Sequence, residues 1–332
     1  MKKVLFGFLM FAAMMTPLVL TSCDDDAEEK EVPKEEEKEL VGTITEARTL
    51  DATVEYLLTG PVIVQDGGTL NIPAGTVIKA EKGFDKYILV LRGGKINVNG
   101  TAVAPVTITA DTDDAKQGHW GGLIINGKAP LSGGTEGTTE INADHKYGGT
   151  NVSDNSGTIT YLKLEYTGAR SDADVEHNGL TLNGVGNGTK IENVYIPYGA
   201  DDAIEFFGGS VNVKNFLAVD PDDDMFDFTQ GYSGTLENAY GIWQTGYVST
   251  ESDPRGIEAD GNLDGNNPTQ TGQSNFTVKN MTIDLRLAPS TAEGNYMHDV
   301  IKVRRGAKAT IENALVIGQG QAKHLIDMND SK

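Results

Sequence analysis

The chain has 332 residues, with 48 Asp and Glu against 27 Lys and Arg, a formal charge of −21, 40 glycines and one cysteine. That charge excludes a nucleic-acid binder, or a protein held to anionic lipid by a basic surface, because phosphate groups repel it. The glycine content argues against a helical protein, since glycine costs roughly 1 kcal/mol in a helix interior. A single cysteine excludes an internal disulfide and leaves packing to hold the fold.

At the N-terminus, Lys2 and Lys3 precede an apolar run from Val4 to Leu20 with Pro17 near its end. This reads as a secretory signal, too short and wrongly flanked to span a membrane. Leu20-Thr21-Ser22-Cys23 resembles the bacterial lipobox. That resemblance implies that residues 1–22 are removed and that Cys23 is diacylated, and two acyl chains anchor stably where one does not. Asp24-Asp25-Asp26 resembles the acidic tract that sends some Gram-negative lipoproteins to the outer face of the outer membrane. Residues 23–40 therefore read as a lipidated cysteine and a disordered acidic tether. Asp24 to Glu39 carry ten acids, three lysines and no apolar face, and a charged linker of this kind repels itself and extends. The expected location is the outer membrane, lipid-anchored and exposed at the cell surface.

From residue 41 to 332 the texture changes to short β-rich runs broken by glycine. Gly67-Gly68-Thr69-Leu70-Asn71-Ile72 aligns with Gly93-Gly94-Lys95-Ile96-Asn97-Val98. A second repeat places an asparagine after an apolar and a charged residue, at Asn193, Asn215, Asn238, Asn280 and Asn313. A third is an alternating strand: Ile204-Glu205-Phe206 is followed by Phe226-Asp227-Phe228, with weaker copies at Leu180-Thr181-Leu182, Ile257-Glu258-Ala259, Ile301-Lys302-Val303 and Ile326-Asp327-Met328. Periods of 20–50 residues indicate stacked coils. Strands this short, with no helical pattern between them, exclude βαβ units, and the basic step is too short for a propeller blade. The predicted fold is all-β: a single parallel β-helix of about nine coils. The asparagines are expected where one strand bends into the next, in left-handed conformation, each amide bonding to its equivalent one coil along. No cap is evident after the last coil, so its strand edges need covering by a loop or a partner.

These repeats resemble the right-handed parallel β-helix superfamily of pectate lyases and polygalacturonases, in which an asparagine ladder marks the turn between the second and third sheets. The phrases Trp120-Gly121-Gly122-Leu123-Ile124-Ile125-Asn126-Gly127 and Ser252-Asp253-Pro254-Arg255-Gly256-Ile257-Glu258-Ala259 resemble a family of surface β-helix lipoproteins with no established activity. By the resemblance, Thr181, Glu205, Asp227, Glu258, Lys302 and Asp327 form one outward column on the first sheet. Asp201, Asp202, Glu205, Asp227 and Lys302 are then the catalytic candidates, with Arg255, Arg304 and Arg305 as further bases. The Gly-His-Gly and Arg-Ile-Lys elements of the polygalacturonases are missing, and His177 stands in the wrong context.

Calcium is the cofactor expected, if any. Asp220, Asp222 and Asp224 alternate in a loop, and Asp260, Asn262 and Asp264 match the first half of an EF-hand loop whose twelfth position is Thr271 instead of glutamate. The five histidines show no paired spacing for zinc, and no nucleophile elbow or P-loop occurs. Trp120, Trp243, Tyr198 and Phe207 are candidates for stacking on sugars. The expected function is a surface binding or adhesion module for glycans, supported by calcium. Two alternatives are a lyase or hydrolase acting on acidic polysaccharide and a structural subunit docking with other envelope proteins through its open end. No nucleic-acid partner is expected.

Overall fold

A computed structural model describes residues 38–134, 136–172 and 175–331, without the side chain of Asp264. Cys23, the signal segment and the tether up to residue 37 lie outside the described residues. Apart from one small antiparallel hairpin, Gly137–Thr139 with Asn142–Tyr147, and two short 3-10 turns, the described chain is parallel strand and loop. The first strand is Glu39–Ile44, and each strand pairs with its equivalent one coil away, which makes three parallel sheets wound along one axis. The second sheet contains nine strands, from Ala47–Thr49 to Lys308–Glu312.

The asparagines divide the long strands. In Lys190–Pro197, Asn212–Val219 and Thr235–Trp243 the register runs up to Glu192↔Lys214↔Glu237 and resumes at Val194↔Phe216↔Ala239. The skipped residues are Asn193, Asn215 and Asn238, which have φ of 60°, 58° and 58°. Each long strand thus turns a corner and serves two sheets. Asparagine bears the left-handed conformation at little cost, and its amide is left free to bond outward. Four bonds of 2.8–3.0 Å link Asn193, Asn215, Asn238, Asn280 and Asn313 in one row. Tyr161, φ 50°, occupies the same corner one coil earlier. The Gly-Gly repeat makes its own shorter row, Asn97 Nδ2 to Asn71 Oδ1 at 2.9 Å. A further one, Asn183 Nδ2 to Asn126 Oδ1 at 3.0 Å, stands at the end of the first sheet.

Inside the coils, buried apolar residues stack, from equivalent positions and from different sheets. Phe206, Phe228 and Phe276 form a column with centroids 5.0 Å and 4.1 Å apart, flanked by Tyr232, all of them buried. At the last coil the stack has no further layer among the described residues. Leu315, Ile317, Leu325, Ile326 and Met328 are exposed, the last three by 58–64%.

An acidic cleft on the first sheet

The strand alternation that buries Ile204, Phe206, Phe226 and Phe228 points Glu205 and Asp227 the other way. Register then stacks Thr181, Glu205, Asp227 and Glu258 in successive coils, and Lys302 pairs with Asp327 further along the same column. The loops leading into these strands add two more acids per coil, Asp201-Asp202 and Asp223-Asp224. Their stacking is direct: Asp202 Oδ1 accepts the backbone N–H of Asp224 at 2.9 Å, and Asp224 Oδ1 accepts that of Arg255 at 2.6 Å.

The result is a cavity of about 340 Å³ lined by eleven carboxylates and one arginine, Arg304. Glu140, Glu176 and Glu251 form part of its wall. Arg170 bridges the last two from outside, 3.4 Å from Glu176 and 3.1 Å from Glu251. At one end the charge is neutralised internally. Glu258 pairs with both Arg255 and Arg304, and Asp260 lies 3.2 Å from Arg304 and 3.3 Å from Arg305. At the other end Arg170 reaches the wall acids Glu176 and Glu251, while Glu205 accepts from a neutral donor, Asn178 Nδ2, at 2.6 Å.

Burial therefore dominates the electrostatics. It pushes the carboxyls of Asp201, Asp202, Glu205, Asp224 and Asp227 well above the ordinary range, and the charges of their acidic neighbours push them further. Asp223 is raised to about 7, by burial first and then by Glu251 and Asp253. Two carboxylate oxygens, Asp223 Oδ1 and Asp227 Oδ1, are shut off from solvent with no hydrogen-bond partner. A buried orphan oxygen is costly, and an entire set of oxygen donors around it fits a hard divalent cation. Three overlapping triads, Asp201/Asp202/Asp223, Asp202/Glu205/Asp227 and Asp224/Asp227/Glu258, each bring one oxygen per residue within 4.8 Å of the others.

Several residues named from the sequence are elsewhere. Lys302 does not line the cleft. Its ammonium donates to Asp327 at 2.6 Å, and this bond holds the Asp327 carboxyl down to about 2. Of the expected calcium ligands, Asp224 and Asp260 line the cleft, while Asp220, Asp222 and Asn262 are engaged elsewhere. Asp220 accepts from the backbone and side chain of Gln244, and Asp222 accepts from Tyr247, Thr250 and the Thr250 N–H. The Asn262 amide is a buried strut, donating to Gln273 and accepting from the N–H of Asn267. Asp260 is paired with Arg304 and Arg305, and the side chain of Asp264 lies outside the described residues.

Trp120 and Trp243 are fully buried, and Phe207 is 3% exposed against Tyr147 and Leu131, so these three cannot stack on a ligand. Their indole N–H groups bond to the carbonyls of Glu165 and Pro221, which is how the coil accommodates them. Tyr198 remains half-buried. It stacks on Tyr166 at 5.5 Å, in a groove shared with Asp220, Gln244 and Gln117. His177 is buried between Phe84 and Tyr87, which lowers it to about 4 and keeps it neutral.

Glu140, Glu176, Asn178 and Glu251 were not legible as site residues. Each comes from a loop, and only for Asn178, two residues before a recognisable strand, was there a positional signal.

This geometry defines a parallel β-helix with an acidic first-sheet cleft. Residues 42–332 match the family profile described as a pectate-lyase-like β-helix domain. The chain belongs to that family, and its fold is a right-handed parallel β-helix. Among solved structures, the Dettilon tailspike protein matches over 78% of this chain and 61% of its own, at 10% identity and a TM-score of 0.25. No curated protein matches.

Proposed function

We propose that this chain is a lipid-anchored protein displayed on the outer membrane, whose β-helix binds glycans through divalent cations, calcium first, held in the acidic cleft. The observation that carries the reading is the pair of buried, unpartnered oxygens of Asp223 and Asp227 within a wall of eleven carboxylates. Asp201, Asp202, Glu205 and Asp227 would hold the ions, away from the Glu258 and Asp260 end that Arg255, Arg304 and Arg305 neutralise. A calcium ion takes six to eight oxygens, so an ion on three carboxylates keeps positions for sugar hydroxyls or uronate oxygens. The stacked Tyr166–Tyr198 pair would offer a second platform for a sugar face. Cys23 would supply the anchor and the acidic segment the spacer; no helix among the described residues is long and apolar enough to cross a membrane. Glycan-array binding of the full chain that is lost in EDTA and returns with calcium is the expected result. Binding to no polysaccharide with calcium present would sink the reading.

A second reading is catalysis on an acidic polysaccharide. It is favoured by carboxyls held protonated towards neutrality, as general acids must be. Against it, Arg255, Arg304 and Lys302 are all engaged in ion pairs. Incubation with uronate polymers separates the two: unsaturated products or new reducing ends, abolished by Asp202→Asn with Asp227→Asn, would establish it.

A further inference from the structure

The histidine spacing in the sequence suggests no metal site, but the fold brings two of the five together. His298 and His324 stand on adjacent coils of the first sheet, because Met297 pairs with Ala322 and Asp299 with His324. Between them is Asp299, whose side chain is wholly buried. His298 Nδ1 lies 2.9 Å from Asp299 Oδ2, and His324 Nδ1 lies 2.6 Å from Asp299 Oδ1. The two imidazoles and the carboxylate thus present one donor atom each within 4.8 Å of one another. A second carboxylate oxygen, Asp327 Oδ2, is 3.9 Å from His324 Nδ1.

We propose that His298, Asp299 and His324 form a site for a borderline divalent transition ion of the zinc class, distinct from the acidic cleft. Two neutral imidazoles and one carboxylate suit zinc, nickel or copper and not calcium, which takes oxygen alone. The carboxylate is shielded from water while the two rings are 22% and 39% exposed, so an ion can enter and keep an open position. Arg255 Nε, 3.4 Å from Asp299 Oδ2, orients that carboxylate, and its own charge is shared with Asp253 and Glu258. In the hydrogen-bonded state each Nδ1 carries its proton toward Asp299, and His298 Nε2 accepts from Lys323 at 3.1 Å. Binding moves those protons to the Nε2 atoms, and Lys323, which is exposed, turns away. Lys323 also borders a cavity of about 420 Å³ lined by Tyr296, Ser290, Thr291 and Gln321, so the open position adjoins space for a further ligand.

The test is calorimetric titration of the chelator-stripped full chain with zinc in excess calcium, which saturates the cleft. One equivalent is expected to bind. Affinity should fall at least about tenfold in His298→Ala and in His324→Ala, with circular dichroism unchanged. Asp202→Asn with Asp227→Asn should leave zinc binding intact, and this separates the site from the proposed calcium cleft. The copper(II)-loaded chain should show nitrogen hyperfine coupling in its EPR spectrum, lost in the double histidine variant. The proposal is overturned by no zinc binding in calcium, by unchanged affinity in His298→Ala/His324→Ala, or by a copper spectrum with oxygen ligation only.

Discussion

Asp202 and Asp224, 22 residues apart, stand one above the other: a carboxylate oxygen of the first accepts the backbone N–H of the second at 2.9 Å. The coil that contains them recurs with the same acids in the same place, so any cost of burying a carboxylate is multiplied along the axis. A cleft built this way is destabilised by its own charge unless protons or cations fill it.

Substituting one acid at its most crowded point should therefore stabilise the ion-free protein. Asp227→Asn removes a buried charge whose Oδ1 has no partner. We expect the calcium-free melting temperature to rise by a few degrees, about 1–2 kcal/mol, and the stabilisation by calcium to shrink. Thermal melts in EDTA and in calcium measure both. A lower melting temperature in EDTA would show that the ionised carboxylate is not strained.

The pH dependence follows from the direction of the shifts. Carboxyls whose folded pKa lies above the unfolded value bind more protons in the folded state, so stability falls as pH rises between the two. For Asp223 this window runs from about 4 to about 7. In EDTA the chain should be more stable at pH 5 than at pH 7.5, the reverse of ordinary acid denaturation. Calcium should close the gap by stabilising chiefly at the higher pH. Denaturant melts at the two pH values decide it, and a gap of the usual sign would contradict the cleft electrostatics.

The asparagine row should be worth most in its middle. Asn215 donates to Asn193 and accepts from Asn238. Asn215→Ala loses both bonds and puts alanine at φ 58°, a cost of about 2–3 kcal/mol. Asn215→Gly keeps the backbone and should cost less. At the end of the row Asn313→Ala breaks one bond and should be milder. Chemical denaturation of the three variants gives the order, and equal costs for Asn215→Ala and Asn313→Ala would refute cooperation along the row.

The aromatic column is the mechanical spine behind the cleft. Phe228 is fully buried between Phe206 and Phe276. Phe228→Ala should cost about 3–5 kcal/mol and loosen Asp227 on the opposite face, so calcium affinity should fall with stability. A loss of stability with unchanged calcium affinity would uncouple core and cleft.

Periodicity is a property of sequence, and where the physics is periodic the sequence was sufficient. The strand alternation, the 22-residue step and the corner asparagines determined a parallel β-helix. The alternation set Glu205 and Asp227 opposite to their apolar neighbours, the family resemblance implied that they share one outward column, and the register places them so.

What lies between the strands was decided only in three dimensions. Asp220, Asp222 and Asp224 alternate identically on paper, yet two are consumed by the loop around Gln244–Thr250 and one enters the cleft. Trp120 and Trp243 read as exposed platforms, but burying an indole gains more than displaying it, and a carbonyl was available for each N–H. His298 and His324 acquire a common carboxylate from coil stacking across a loop of variable length. Loop length has no period, and the partner of a loop side chain is set by whatever the next coil puts beside it. For that reason the scaffold could be read from the chain, while the membership of its sites required the fold.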